Sequence, residues 1–181
     1  MIRQIIAPLA HFVFSIFFDK KYLKGRLFEN EYGGYLHCAR ALWQRNILRL
    51  GPTFPFPVGL TCTLSSAKNI TFHVDDLNNF NSPGVYFQNF KGHIYLGQGT
   101  YIAPNVGIIT TNHDLLDLRN HSEPSDVVIG DKSWIGMNSV ILPGVVLGEG
   151  TIVAAGTVVT KSFPQGKVVL AGVPAKIIKV L

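Results

Sequence analysis

Aliphatic residues recur at every sixth position along the second half of the chain. They form two runs, one of Leu96, Ile102 and Ile108, and one of Ile129, Ile135, Ile141, Leu147, Val153 and Val159. An α-helix cannot keep a period of six on one face, and a simple strand has a period of two. The spacing therefore predicts a solenoid. Each hexad would be a short strand with a turn, and three hexads would complete a triangular coil around the inward aliphatic side chains.

The repeat is less regular towards the N-terminus. Leu64, Ile70 and Phe90 extend its register, with an insertion at about residues 75–88. Glycine and proline at Gly51 to Pro57 mark a linker before it. The fold class predicted for the chain is therefore dominated by β-structure: a parallel β-helix with a helical N-terminal segment and a short C-terminal tail.

Residues 1–50 carry apolar side chains at helical spacing, so we predict a helical segment at 1–50 and a β-helix domain at 51–181. Within the segment, Ile5 to Phe18 is almost wholly apolar and is followed by Lys20 and Lys21. This run is shorter than the roughly 20 residues that span a bilayer. Two interpretations stay open: a helix buried against the domain, or an interfacial segment whose lysines face anionic headgroups.

The hexads are interrupted once, between Ile108 and Ile129. The interruption is polar and rich in histidine and carboxylates, which is typical of a functional loop on a rigid scaffold, and we predict a catalytic loop at 110–127. His113 lies at its junction with the shaft. A histidine with an ordinary pKa near ~6.5 can act as a general base at neutral pH. The alternative is an exposed loop histidine without a role.

Charge and cysteine content narrow the classes of partner. The formal net charge of +5 favours anionic partners, but lysine and arginine are spread thinly, without the clustered stripe typical of nucleic-acid binding. Cys38 and Cys62 form no CxxC pair, so neither a disulfide framework nor a zinc site is expected. We interpret both as packing residues of a cytoplasmic protein, with the inner face of the membrane as the location if the interfacial interpretation holds.

Three stretches resemble the hexapeptide-repeat acyltransferases: "TTNHDLLDL", "VVIGDKSWIGMNSVILPGVVLGEGTIVAAGTVVTKSFP" and "AGVPAKIIK". Within that family they are most similar to the sugar O-acetyltransferases of capsule, exopolysaccharide and lipopolysaccharide pathways and to the maltose and galactoside acetyltransferases. The resemblance covers about residues 90–181. It implies a left-handed β-helix, a homotrimer with sites between subunits, and acetyl-CoA lying in the groove between neighbouring shafts.

The resemblance also implies roles for particular residues. His113 of the "NHD" motif would take the proton of an acceptor hydroxyl as that oxygen attacks the thioester, while a backbone N–H stabilises the oxyanion. Asp114 would orient the histidine or hold the acceptor, and the loop offers Asn112, His121 and Glu123 as further acceptor contacts. The matching acetyl-CoA positions are Trp134, Ala155, Gly156, Thr160, Lys161 and Lys176. No metal is expected.

The sequence departs from its relatives at two places. Lys176 and Lys179 stand where relatives carry Arg, which keeps the charge but loses the bidentate fork. Met137 stands where they often have a small polar residue.

The function predicted from the sequence is acetyl transfer from acetyl-CoA to a sugar hydroxyl of a surface polysaccharide or its lipid-linked precursor. Four alternatives remain: an amino-sugar N-acetyltransferase, a serine O-acetyltransferase, a γ-type carbonic anhydrase and a non-catalytic solenoid. The anhydrase is disfavoured because His93, His113 and His121 do not match its ligand spacing. The acceptor sugar, the acetylated position and the length of the acyl group stay open.

Overall fold

The hexads form the short strands of a parallel β-helix in the computed structural model, which describes residues 2–29 and 33–181. In chain order the strands are β1 Thr63–Leu64, β2 Ile70–Thr71, β3 Tyr86–Gln88, β4 Ile94–Leu96, β5 Tyr101–Ile102, β6 Gly107–Ile109, β7 Val127–Ile129, β8 Trp134–Ile135, β9 Val140–Ile141, β10 Val146–Leu147, β11 Ile152–Val153, β12 Val158–Val159, β13 Val168–Ala171 and β14 Lys176–Val180. They stack into three sheets, which we call A (β1-β3-β6-β9-β12), B (β2-β4-β7-β10) and C (β5-β8-β11-β13-β14). Only the C-terminal pair of the described strands, β13 and β14, is antiparallel.

The predicted register of the two hexad runs is confirmed. Ile108 pairs with Phe87 in the coil before it and with Ile141 in the coil after it, so equivalent positions stack. All nine aliphatic residues of the two runs are buried. Compact residues at the corners of the shaft are buried too: Thr100, Val106, Ser133, Ser139, Val145, Thr151 and Thr157. The shaft is therefore filled by a column of aliphatic side chains, and its backbone groups are paired between coils.

The predicted register of the earlier coils is wrong at one residue. Phe90 lies outside the shaft, and the residue that fills it is Phe87. The reason is a corner between β3 and β4 that is longer than a hexad allows, so counting back in sixes from Ile108 reaches Phe90. The insertion predicted at residues 75–88 is in part a 3₁₀ helix, Val74–Asn81, which occupies the place of a strand, while β3 belongs to the regular sheet.

The helical segment comprises α1 Ile2–Phe14, a 3₁₀ turn Lys20–Tyr22, α2 Arg26–Glu29, α3 Gly33–Ala41 and a π-helical turn Leu42–Ile47. Residues 1 and 30–32 of the predicted segment lie outside the described residues. Among the helices that the structure describes, none combines the length and the apolar character needed to cross a bilayer. The segment packs on the first coil through an aromatic cluster that closes the end of the shaft, made of Tyr22, Phe56, Phe72, Phe80 and Phe87.

Arg45 fastens the helical segment to the first coil. Its buried guanidinium donates hydrogen bonds to the carbonyl oxygens of Pro52 at 3.1 Å, Val58 at 2.8 Å, Gly59 at 2.7 Å and Cys62 at 3.0 Å. A buried cation is tolerated when its donors are satisfied in this way, because an unpaired charge in an apolar interior is strongly destabilising. The π-helical turn is therefore tied to the chain that enters the shaft.

Cys38 and Cys62 are both buried free thiols, as the packing interpretation requires. Burial raises the pKa of each thiol to about 12, with the nearby Arg45 guanidinium opposing the shift at Cys62. Thiols of this kind stay protonated at neutral pH and are poor nucleophiles.

At the corner after β8, the backbones of neighbouring coils lie so close that a side chain on Gly136 would not fit. A Cβ added to Gly136 would lie 2.6 Å from the carbonyl oxygen of Val153 and 2.7 Å from the amide nitrogen of Ala155. At Gly107, on the outer face of β6, the nearest atoms would be methyl groups of Val140 at 3.9 Å, an ordinary contact. The two glycines therefore form a matched pair for a test of coil stacking.

We expect Gly136→Ala to lower the free energy of unfolding by about 2 kcal/mol, because the coils at that corner must move apart. Gly107→Ala should change it by less than about 0.5 kcal/mol. Urea denaturation followed by circular dichroism measures both. Equal stability of the two variants would contradict the close stacking of coils at this corner.

Candidate active site

The polar loop leaves the shaft at the corner between sheets A and B, and both of its ends are held there. The amide of Ser125 donates to the carbonyl oxygen of Thr110 at 2.8 Å, which closes the excursion at its base. The side chain of Gln88, in the preceding coil, accepts from the amide of Thr111 at 3.1 Å and donates to its carbonyl oxygen at 3.0 Å. Thr110 and Thr111 are buried. The loop therefore starts from a fixed backbone.

Above its base the loop forms a short two-stranded neck. The amide of Ser122 donates to the carbonyl oxygen of Asn112 at 2.9 Å, and the amide of Asp114 donates to that of Asn120 at 3.0 Å. Between these two bonds His113 and His121 are paired as neighbours in an antiparallel bridge. Hydrogen bonds on both sides of the histidine pair therefore fix the backbone of His113 and His121 relative to the shaft.

His113 has one ring nitrogen engaged by the loop itself. Nδ1 lies 2.7 Å from the carbonyl oxygen of Leu118. A carbonyl can only accept, so in the neutral ring Nδ1 carries the hydrogen and Nε2 keeps its lone pair. The side chain is exposed, so a substrate can approach it. In this tautomer the imidazole is ready to accept a proton at Nε2.

His121 lies against His113, with ring centroids 4.5 Å apart and the planes inclined by 29°. Its other side meets the edge of Phe90 at a centroid distance of 5.0 Å. Desolvation lowers the pKa of His121, and the charges of His113 and Lys91 lower it further. The neutral form of the His121 ring is therefore favoured.

Asp114 is occupied within the loop. Its Oδ1 accepts from the amides of Leu116 at 2.7 Å and Asp117 at 3.3 Å, which is the pattern of an Asx turn. The carbonyl of Leu118 is the group that orients the His113 ring in this structure. Asp114 was predicted either to orient His113 or to hold the acceptor. Since the Leu118 carbonyl orients the ring, only contact with the acceptor remains as a role for Asp114.

An open cavity of about 630 Å³ lies beside the histidine, lined by Asn112, His113, Asp114, Leu115, Leu118 and Ser122. Three of the predicted acceptor-side residues, Asn112, His113 and Asp114, thus share one cavity. His121 adjoins it through its ring contact with His113, and Glu123 lies exposed on the returning strand of the neck. The arrangement offers a proton acceptor beside a space large enough for a small polar ligand.

The predicted acetyl-CoA residues fall on two edges of sheet A. Ala155 and Gly156 form the corner that precedes β12, while Thr160 and Lys161 form the corner that follows it. Thr160 and Lys161 therefore lie at the corner of the histidine loop, two coils further along the shaft. One chain does not bring all these positions together.

The edge near sheet C carries the other predicted acetyl-CoA residues. Trp134 is a solvent-facing residue of β8, and Lys176 begins β14 at the edge of the same sheet. A Cβ built on Gly156 meets no atom within 4 Å, so its backbone is open to a ligand. Exposed aromatic, backbone and cationic groups here fit the predicted donor.

Sequence reasoning missed several residues that shape the site. Gln88 braces the loop from the preceding coil, and the Leu118 carbonyl holds the His113 ring. The side chains of Leu115 and Leu116 at the loop tip are 93% and 99% exposed, which their apolar character did not suggest. Gln88 was detectable in principle, since its strand pairs directly with β6, but that register was obscured by the long corner after β3.

Residues 126–161 match the family model described as bacterial transferase hexapeptide (six repeats). The predicted resemblance to hexapeptide-repeat transferases is confirmed. This hexapeptide region contains β7 to β12, and the histidine loop ends where it begins.

Similar proteins extend the match beyond the repeats. The galactoside O-acetyltransferase of Escherichia coli (strain K12) is 39% identical over 89 residues, which cover 48% of this chain and 43% of the relative. WbbJ of the same organism, provisionally assigned as a lipopolysaccharide biosynthesis O-acetyl transferase, is 40% identical over 101 residues, covering 48% of this chain and 50% of the relative. The chain thus spans about half the length of the curated relatives it matches.

A solved structure supports the architecture. The hexapeptide-repeat acetyltransferase VCA0836 of Vibrio cholerae O1 biovar eltor, complexed with acetyl-CoA, is 32% identical with a TM-score of 0.50. The similarity covers 55% of this chain and 55% of that one. The similarity to these proteins therefore extends over about half of the chain.

The tautomer of His113 can be tested directly. We expect long-range ¹H–¹⁵N NMR spectra of the neutral His113 ring to show Nδ1 protonated and Nε2 unprotonated, because the Leu118 carbonyl accepts from Nδ1. His113→Gln identifies the resonance by its loss. Observation of the Nε2–H tautomer would contradict the orientation of the ring.

Proposed function

We propose that this chain transfers an acetyl group from acetyl-CoA to a hydroxyl of a sugar in a surface polysaccharide or its lipid-linked precursor. The observation that carries the proposal is His113, which lines an open cavity with Nδ1 engaged by the Leu118 carbonyl and Nε2 left as a proton acceptor. The similarity to a galactoside O-acetyltransferase and to WbbJ supports a sugar hydroxyl as the acceptor.

The proposed reaction is a direct transfer. Nε2 of His113 takes the acceptor's hydroxyl proton as that oxygen bonds to the thioester carbonyl carbon, and negative charge collects on the carbonyl oxygen. When the carbon–oxygen double bond re-forms, the carbon–sulfur bond breaks and the thiolate leaves with the proton from Nε2. The ester and coenzyme A are the products, and His113 returns to its starting tautomer. A backbone N–H donor would stabilise the oxyanion.

His113 would act without a carboxylate partner in this chain's own loop. The Leu118 carbonyl holds the tautomer, and desolvation lowers the pKa of the neighbouring His121, which favours its neutral ring. Asn112, Asp114, His121 and Glu123 are the residues proposed to meet the acceptor.

The donor would lie between two copies of the chain. Sheet A separates the corner that carries His113, Thr160 and Lys161 from the edge that carries Trp134 and Gly156. A second shaft packed alongside would set its Trp134 edge against the first shaft's histidine corner. The homotrimer and the left-handed coil that the family resemblance implies are part of this proposal. In such an assembly the lysines would meet phosphates and the tryptophan ring would flank the pantetheine arm.

The base can be tested by substitution. His113→Ala should reduce kcat by about 10²–10⁴-fold, because a general base contributes that much, while the affinity for acetyl-CoA stays near normal. Thiol release with a panel of soluble sugars measures turnover, and calorimetry measures acetyl-CoA binding. His11→Ala, at a histidine remote from the loop, is the control. Turnover near the wild-type value in His113→Ala would refute the assignment, and acetylation of an amine rather than a hydroxyl would refute the acceptor class.

Complementation tests the shared site. A chain with His113→Ala and a chain with Trp134→Ala plus Lys176→Ala should each be nearly inactive alone. Random mixed oligomers should recover activity at about a quarter of their sites, since a site then takes its histidine from one copy and its donor edge from another. A mixture no more active than its separate components would show that each site is built within one chain.

A further inference from the structure

An apolar stripe on the N-terminal helical segment faces solvent. It consists of Leu9, Phe12, Val13, Ile16 and Phe17, and we call it the α1 stripe. Leu9, Phe12 and Val13 have the spacing of one face of α1, and Ile16 and Phe17 lie in the turn that follows the helix. In a globular protein such an apolar face normally packs on the core. Here Phe12 and Ile16 are 66% and 67% exposed. The stripe is thus an apolar surface without a partner in the described chain.

The opposite side of the same segment supplies the packing. Phe14 stacks on Tyr35 at a centroid distance of 6.3 Å, and Phe18 is buried in the core. Because these residues hold the segment to the protein, the α1 stripe is directed outward along its length. Trp43 and Ile47, on the π-helical turn that follows α3, are exposed apolar residues of the same N-terminal segment.

The charge of the protein is concentrated in the same part of the chain. Residues 1–50 hold eight lysines and arginines against three acidic residues, a formal charge of +5, which equals the charge of the whole protein. Residues 51–181 hold eight basic and eight acidic residues and are neutral. Lys20, Lys21 and Lys24, all exposed, follow the α1 stripe directly. Apolar and cationic groups therefore lie together at one end of an otherwise neutral molecule.

We propose that the α1 stripe docks on an anionic lipid surface, with Lys20, Lys21 and Lys24 on the headgroups. Large apolar and aromatic side chains beside lysines are the combination that interfacial helices use, and anionic headgroups attract each nearby cation. A second copy of the chain is a poorer occupant, because two segments of charge +5 would face each other. Binding to lipid does not depend on which reaction the protein catalyses, so this inference does not rest on the proposed function. It would, however, bring the protein close to a lipid-linked acceptor.

Vesicle co-sedimentation of the full chain tests the apolar part. Wild-type protein should bind vesicles of phosphatidylcholine with about 30% phosphatidylglycerol, and Phe12→Gln/Ile16→Gln should bind at least about tenfold more weakly. Ile178→Gln/Val180→Gln is the matched control, because these residues are 64% and 72% exposed on β14, and its binding should equal the wild type. Equal binding by all three proteins would overturn the proposal.

The charge and the competing occupant are tested separately. Lys20→Gln/Lys21→Gln/Lys24→Gln should weaken binding to the anionic vesicles several-fold, and wild-type protein should bind pure phosphatidylcholine more weakly than the mixture. Binding that is unaffected by the lysine substitutions and by the removal of the anionic lipid would overturn the role of the headgroups. Light scattering without lipid should give one mass for wild type and Phe12→Gln/Ile16→Gln. A smaller mass for the variant would assign the stripe to a second copy.

Activity with a soluble acceptor distinguishes this inference from the proposed function. The Phe12→Gln/Ile16→Gln protein should keep wild-type turnover of a soluble sugar, because both side chains face solvent and neither lines the cavity beside His113. Lost lipid binding with intact turnover supports the lipid surface alone. Loss of turnover together with lipid binding would overturn the independence of the two sites.

Discussion

Every coil of the shaft must make its backbone hydrogen bonds with the coil before it and the coil after it, and the rest of the structure depends on this register. A parallel β-helix can accept extra residues only at a corner, where the chain leaves one sheet and has not entered the next. The histidine loop obeys this rule. It departs at Thr110 and returns at Ser125, which are hydrogen-bonded to each other, so the coil above and the coil below stack as if the loop were absent.

The same constraint gives the loop its precision. Gln88 belongs to the preceding coil, and its side chain is paired to the backbone of Thr111, so the base of the loop inherits the rigidity of the shaft. The two-stranded neck then carries that order to His113, whose ring is held by a carbonyl of the loop itself. A backbone acceptor fixes the tautomer without adding a negative charge beside the ring. The loop is therefore suited to hold a neutral base.

The two ends of the molecule are different in chemistry because they are built on different principles. The β-helix satisfies its backbone internally and fills its interior with aliphatic residues, and its surface charges cancel. The helical segment is attached through aromatic packing and the buried Arg45, whose donors reach four carbonyl oxygens. Since those contacts use one side of the segment, its other side is free to carry apolar and cationic groups. The histidine corner and the α1 stripe can thus vary independently.

The sequence by itself determined the repeat, the position of the loop and His113 as the candidate base, because a strict period and its interruption are properties of neighbouring residues. The prediction that Phe90 lies in the shaft was wrong, because the six-residue period does not show that the corner between β3 and β4 is longer than the others. Only the tertiary structure decided that the Leu118 carbonyl holds the ring, that Gln88 braces the loop and that sheet A divides Lys161 from Trp134. It also decided which side of the apolar segment lies inward. These features join residues that are distant in sequence or depend on which face is packed, and such relations exist only once the chain is folded.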